Sequence, residues 1–243
     1  RTGTTLLERI VSAHADVGTL GELQELPIAL KKLSATQGEK VLSPEVVEAL
    51  LTMAPAPDVE AAYRASIATR LADLHPPPCY VIDKNPLNFF FIGLVAKWMP
   101  GARFLLMRRH PIDAALSNFR QLFALEYSYY NYSYDLGDLG RYVMQFENLA
   151  DHWQALLGDW LKTVQYEALV EDPRPVIEGV LNYLDLPWDE ACLHFHHQAT
   201  PVATPSGSQV RQPLYNTAVG RWQRYGDALA PLLVAMAEEG YVG

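Results

Sequence analysis

Cysteine is nearly absent. Cys79 and Cys192 are the only two in 243 residues, and neither belongs to a CxxC or a metal-ligand pattern. That argues against a disulfide framework, and a reducing, cytoplasmic setting is the expectation. Long apolar runs are also missing. The longest, Phe89 to Met99, is broken by Gly93 and Lys97 and predicts a buried helix, not a membrane span. No signal peptide is expected. Positive charge is in short supply: 19 Lys and Arg face 28 Asp and Glu, for a formal net charge of −9. That balance argues against nucleic acid as a partner, so any anion site must be local. No internal repeat and no low-complexity tract is found. What is present, 49% hydrophobic residues over 243 positions, is enough for one large domain with a full core, and residues 1–243 are expected to form it.

The first stretch organises the rest. Arg1-Thr2-Gly3-Thr4-Thr5-Leu6-Leu7-Glu8-Arg9-Ile10 reads as a phosphate cradle running into an amphipathic helix. Gly3 lets the backbone bend and approach an anion closely. Thr4 and Thr5 open the helix, so free N–H groups and the positive helix end point at one place. The ATP loop signature is absent, because Thr4 stands where its lysine belongs. A match this short also fits an ordinary capped helix, and the remaining chain must decide. A cradle of this kind normally follows a strand. The natural chain is therefore expected to begin earlier, with a first strand ahead of Arg1.

Ser12 to Gly18 reads as a turn-rich break, and Leu23 to Leu33 as a short helix. Residues 43–54 and 58–74 read as two helices, the first started by Ser43-Pro44 and the second capped by Asp58. Cys79 to Asp83, Arg103 to Arg108 and Thr163 to Tyr166 are short apolar runs that predict buried strands. Helices follow: Pro86 to Trp98, Arg109 to Phe123, Gly137 to Leu157, Pro173 to Leu184, Asp189 to His197 and Ala218 to Tyr241. Tyr127 to Tyr134 is expected to be a surface loop or lid, and 199–213 a loop. Strands alternating with helices argue for a parallel sheet with helices on both faces, with ligands at the strand ends.

Four separated stretches, Arg1–Ile10, Val81–Ser117, Val164–Val170 and Thr204–Tyr225, resemble the P-loop sulfotransferases that use 3′-phosphoadenosine 5′-phosphosulfate (PAPS). The closest resemblance is to the bacterial sulfotransferase domain of tetratricopeptide-linked proteins, related to tyrosylprotein sulfotransferases. It covers essentially the whole chain. It implies an α/β three-layer P-loop-like fold with a central parallel sheet flanked by helices, possession of an upstream tetratricopeptide domain, and sulfuryl transfer from PAPS to an acceptor hydroxyl on a protein tyrosine, a glycan or a small molecule.

The resemblance also implies site roles. Arg1, Thr2, Gly3, Thr4 and Thr5 would hold the 5′-phosphosulfate without a metal. Arg109, at a strand–helix junction, would offer its bidentate fork to the 3′-phosphate, with Ser117 two helical turns on and Arg120 nearby. Glu22, in a Gly21-Glu22 context, matches the general base, which must reach the acceptor hydroxyl. Glu25 is its neighbouring competitor. His14 resembles the base of another branch and is read here as structural. Lys84 matches the lysine that stabilises charge on the leaving phosphate, a contribution of ~3–4 kcal/mol for groups of this kind. Ser206, Arg211 and Arg221 resemble the nucleotide lid, with Tyr166 at the phosphate or adenine end, whereas Trp222 and Tyr225 read as helix packing. Two departures stand out. Gln24 replaces an arginine that serves acidic acceptor peptides, and Leu20 and Ile82 lie where the Golgi enzymes carry bridging cysteines. Both departures fit a bacterial cytoplasmic enzyme. Two rivals are a P-loop nucleotide-dependent kinase, for which Asp83 is the near candidate for metal binding, and a non-catalytic scaffold of the same fold.

Overall fold

The computed structural model describes residues 2–53, 59–123, 128–198 and 209–242. The chain divides into two units, one of Thr5–Phe104 with Asp189–Arg211, the other of Arg1–Thr4, Leu105–Trp188 and Gln212–Gly243.

Helix α1, Thr4–Val11, leads into the first unit and buries Leu7, Ile10 and Val11, the spacing of one helical face. Strand β1, Val17–Thr19, starts inside the Ser12–Gly18 stretch expected to be a turn and runs one residue past it. It pairs in parallel with β2, Tyr80–Ile82, with Val17 opposite Tyr80 and Thr19 opposite Ile82. Parallel neighbours need a crossover connection. Here it is helical: α2 Glu25–Ser34, α3 Pro44–Thr52, α4 Val59–Ser66 and α5 Ala68–Ala72. Ser43 caps α3 as expected, its Oγ accepting the Val46 N–H at 3.4 Å, with Pro44 in the first turn. Asp58 lies outside the described residues. The helix expected over 58–74 is two helices. Ile67 leaves helical angles (φ −104°, ψ 3°) and enters the core, while α5 buries none of its residues.

The core of this unit joins Leu23, Leu26 and Leu30 to Val46, Leu50, Val59 and Tyr63. Phe91, Leu94 and Trp98 complete it from α6, Ile92–Trp98, and the residue before it. The buried helix expected near Phe89 to Met99 is thus α6, preceded by a 3₁₀ turn at Pro86–Phe90. The helix expected from Asp189 to His197 is instead two 3₁₀ turns around buried Cys192 and Phe195.

In the second unit β3, Phe104–Arg108, pairs with β4, Leu161–Gln165. Helix α7, Pro111–Phe119, follows β3 and ends short of the Phe123 expected. Helix α8, Leu136–Leu157, is capped by Asp135, whose Oδ1 accepts the Asp138 N–H at 2.9 Å. Helices α9, Tyr166–Glu171, and α10, Pro173–Tyr183, follow β4. The long closing helix is interrupted. A 3₁₀ stretch, Arg221–Leu229, contains Gly226 at φ 46°, ψ −129°, and only then does α11, Ala230–Glu238, begin. Glycine tolerates that left-handed conformation where other residues strain. Ile112, Ala115, Leu139, Val143, Met144, Leu232 and Met236 form the core here. A Cβ at Gly140 would meet the Leu232 carbonyl at 2.8 Å, so α8 and α11 approach at a distance only glycine permits.

The expected surface loop at the tyrosines is a 3₁₀ helix over Ser128–Tyr134, with Tyr127 outside the described residues. Tyr132 stacks on Tyr142 with ring centroids 3.6 Å apart, and Ser133 is buried. Pairing covers one face of each half-buried ring, and burial pushes the Tyr142 phenol up to about 12. The α/β class with parallel strand pairing agrees with the expectation.

Candidate functional site

The β1–β2 ladder continues past its strands. Leu20 N–H donates to the Ile82 carbonyl at 3.0 Å, and Lys84 N–H donates to the Gly21 carbonyl at 3.0 Å. Asn85 adds a side-chain rung, its Nδ2 donating to the Leu23 carbonyl at 2.8 Å while its Oδ1 caps the Leu87 N–H at 3.0 Å. These bonds hold the Gly21–Leu23 segment beside Lys84 and Asn85. The side chains meet as a result: Lys84 Nζ lies 2.5 Å from Glu22 Oε1, across 62 residues of sequence. Lys84 is 7% exposed and Glu22 37%. A third member was not expected. Glu8 on α1 is 8% exposed, with Oε2 at 3.6 Å from Lys84 Nζ. Its Oε1 accepts the Thr19 hydroxyl at 2.6 Å, and Thr19 Oγ1 accepts the Gly21 N–H at 3.1 Å.

Asp83, next to Lys84, points into the protein. Its Oδ2 accepts the Tyr63 hydroxyl at 2.6 Å and its Oδ1 accepts Asn88 Nδ2 at 3.3 Å. Burial raises its carboxyl above the usual range, against both hydrogen bonds, and burial beside Asp83 likewise raises the Tyr63 phenol. Glu25 pairs with Arg70 at 2.9 Å and makes no bond to Lys84. His14 is buried, and its Nδ1 accepts the Asp16 N–H at 3.0 Å.

The second unit carries another cluster. Gly3 takes φ +106°, and a Cβ there would stand 2.7 Å from Tyr166 Cδ2. The Arg109 guanidinium lies over the same Tyr166 ring, 4.5 Å from its centroid. Arg109 Nη2 donates to the Ala218 carbonyl at 2.6 Å, and Nε is buried without a hydrogen-bond partner among the described residues. Burial raises the Tyr166 phenol while Arg109 lowers it, and burial prevails. Asp113, 1% exposed in the first turn of α7, accepts the N–H groups of Gly220 at 2.7 Å and Trp222 at 3.0 Å. The Trp222 ring stacks on His110 at 5.6 Å, which agrees with a packing role. Glu167 Oε1 accepts the His110 N–H at 2.9 Å.

Arg109 stands between β3 and α7, at the strand–helix junction expected for it. Ser117 is half-buried on α7 with no hydrogen bond to Arg109 among the described residues. Arg120 ends that helix, exposed. Arg221 opens the 3₁₀ stretch after Gly220, half-buried. Arg211 is exposed in the first unit, near enough to Arg9 for the two charges to repel. Thr2 and Thr4 are half-buried and Thr5 is buried, and Thr4 and Thr5 begin α1 with no acidic residue in the first turn. Arg1 and Ser206 lie outside the described residues.

The model of the sulfotransferase family matches residues 1–190. The chain belongs to that family. An uncharacterized protein of Aquifex aeolicus (strain VF5) is 31% identical over 249 residues, covering 99% of this chain and 31% of that protein. A protein-tyrosine sulfotransferase of Drosophila melanogaster is 25% identical, covering 99% of this chain and 50% of its own length. The chain thus spans a third to a half of these two relatives. Among solved structures, the sulfotransferase domain from the Synechococcus PCC 7002 olefin synthase aligns with a TM-score of 0.61 at 20% identity, over 100% of this chain and 92% of that one. The sulfotransferase domain from the curacin biosynthetic pathway aligns at 0.57 and 14%, over 99% and 94%. Both likenesses show the fold, the P-loop-like α/β fold of sulfotransferase domains.

Within this sulfotransferase-family chain two features fit a phosphate-bearing nucleotide. One is a glycine cradle that a Cβ would fill. The other is a buried guanidinium with an unpaired N–H. Glu8, Thr19, Asn85 and Asp113 escaped the sequence reading. For Glu8 a signal existed, because a carboxylate between Leu7 and Val11 on the apolar face of α1 needs a partner in the protein.

Proposed function

We propose that this chain transfers a sulfuryl group from PAPS to an acceptor hydroxyl, with Glu22 as base and Lys84 as the stabilising cation. The observation that carries the proposal is the buried Lys84 ammonium set 2.5 Å from the Glu22 carboxylate. PAPS would supply the sulfuryl group and a phosphate leaving group. Thr2, Gly3, Thr4 and Thr5, with Arg1, would hold its 5′ end through N–H groups and hydroxyls at the start of α1. Arg109 would turn its unpaired Nε–H to the 3′-phosphate. Ser117, Tyr166, Ser206, Arg211 and Arg221 are assigned to nucleotide binding in the same proposal. Glu22, the more exposed carboxylate, takes the acceptor's proton as its oxygen attacks sulfur. Lys84 then places positive charge where the leaving oxygen gains electrons.

The kinase alternative asks Asp83 to ligate a metal. Its two oxygens accept Tyr63 and Asn88, and burial favours its neutral form. That occupation disfavours the alternative. Residues 1–243 are taken as one sulfotransferase domain of a bacterial cytoplasmic protein with an upstream tetratricopeptide region. The two free cysteines accord with that setting, and no helix of the described residues is long and apolar enough to cross a membrane. The acceptor is a protein tyrosine, glycan or small-molecule hydroxyl. The protein-tyrosine sulfotransferases among the relatives favour the first.

Calorimetric titration with 3′,5′-adenosine bisphosphate, beside ATP and 5′-AMP and without metal, is the first test. Binding selective for the bisphosphate and lost in Arg109→Ala is expected. Preference for ATP removes the reading. Glu22→Gln should abolish turnover and keep bisphosphate binding, and normal turnover by that variant overturns the base assignment.

A further inference from the structure

We propose that Glu8 is the resident counter-ion of Lys84, a positioning residue that steadies the ammonium when Glu22 turns to the acceptor. The inference rests on the sulfuryl-transfer reading above. Two carboxylates share one lysine, and they are not equivalent. Glu22 makes its close contact from a side chain 37% exposed, and that contact is its sole hydrogen bond among the described residues. Glu8 is 8% exposed and tethered: Thr19 Oγ1 donates to its Oε1 at 2.6 Å, and Thr19 is fixed in turn by the Gly21 N–H at 3.1 Å. The tether leaves Oε2 facing Lys84 Nζ at 3.6 Å.

A base must give up its own ion pair to accept a proton. When Glu22 does so, a lysine 7% exposed is left without a counter-charge unless another carboxylate stays behind. Glu8 stays, because turning it away breaks its bond to Thr19. The 3.6 Å separation is longer than a hydrogen bond, so Glu8 steadies the charge without engaging an N–H that the leaving oxygen needs. Thr19 thus serves both partners. Its oxygen anchors the residue before Glu22, and its proton anchors Glu8.

The test has an unliganded arm and a kinetic arm. In ¹⁵N-lysine-labelled protein without ligand, the Lys84 ammonium, read from the order parameter of its ¹⁵Nζ, should stay ordered in Glu22→Gln and become mobile in Glu8→Gln. The opposite pattern makes Glu22 the counter-ion and overturns the proposal. In steady-state assays Glu8→Gln should lower kcat by about 10²-fold with both KM values little changed, the scale of a small misplacement of a reacting group. Bisphosphate affinity should hold, and Glu8→Asp should recover part of the rate. Adding Glu8→Gln to Lys84→Ala should cost nothing further. An equal loss in both backgrounds means that Glu8 does not act through Lys84, and the proposal fails. If Glu8→Gln does not fold, Thr19→Val, which removes only the tether, should give the same ammonium signature and a smaller fall in kcat, and a wild-type signature in that variant overturns the proposal. A wild-type chain that shows the ammonium pattern but moves no sulfuryl group defeats the sulfuryl-transfer reading, and with it the catalytic use of Glu8.

Discussion

Gly3 lies against the ring of Tyr166, with 2.7 Å between the place of a Cβ and Tyr166 Cδ2. The contact explains why the cradle needs glycine twice over, once for its φ of +106° and once for space. Gly3→Ala should therefore cost about 1–3 kcal/mol in backbone strain and also push the Tyr166 ring from under Arg109. Calorimetry should show weaker binding of 3′,5′-adenosine bisphosphate. Unchanged affinity in a folded Gly3→Ala protein would remove the cradle from the binding site.

Arg109→Lys should bind the bisphosphate no better than Arg109→Ala. The guanidinium spans two tasks, a bond to the Ala218 carbonyl at 2.6 Å and a free Nε–H, while it stacks on Tyr166. An ammonium has neither the fork nor the flat face. The expected loss is about 1.5–3 kcal/mol of binding, the worth of a hydrogen bond to a charged group. Wild-type affinity in the lysine variant would mean that Arg109 acts as a point charge only.

Asp113 holds the Gly220–Trp222 turn through two N–H groups while 1% exposed. Asp113→Ala leaves both donors unpaired, at about 1–3 kcal/mol for each group kept from water. Asp113→Asn keeps one acceptor oxygen and should lose less. Urea midpoints for the two variants test the order, and equal midpoints would contradict it.

Stability should depend on pH through Asp83. Burial raises its carboxyl in the folded chain above the unfolded value, so the folded state holds the proton more tightly. The sign follows from linkage: the contribution is full below the unfolded pKa and is lost as pH rises through the folded one. Asp83→Asn, which keeps an oxygen for the Tyr63 hydroxyl, should flatten this decline. Urea unfolding from acid to neutral pH checks it. A variant that falls as steeply as the wild type places the dependence elsewhere.

The strands β2 and β3 were legible because each is an apolar run bounded by turn residues. β1 was not, because three residues at the end of the Ser12–Gly18 break are too few to carry a period, and only pairing with Tyr80–Ile82 makes them a strand. The tyrosine segment misled for a related reason. Its polar spacing reads as surface, but Tyr132 finds a stacking partner in α8. Glu22 and Lys84 stood out through the family resemblance, and the geometry brings them together. Asp113 could not be found that way, since its partners lie 107 and 109 residues downstream and are backbone atoms. The two short 3₁₀ turns at Glu190–Cys192 and Phe195–His197 show the limit of reading helices from periodicity over a few residues.

The ladder from Thr19 to Leu23 against Ile82 to Asn85 has a wider meaning. The distance between Glu22 and Lys84 is set by backbone rungs, and the helices α2 to α5 form the crossover that returns the chain from one end of the ladder to the other. That crossover is also the body of the unit's core, since Leu26, Leu30, Val46, Leu50, Val59 and Tyr63 all come from it. Rungs and helices thus brace the Glu22–Lys84 contact together, with the Tyr63 hydroxyl of α4 donating to Asp83 beside Lys84.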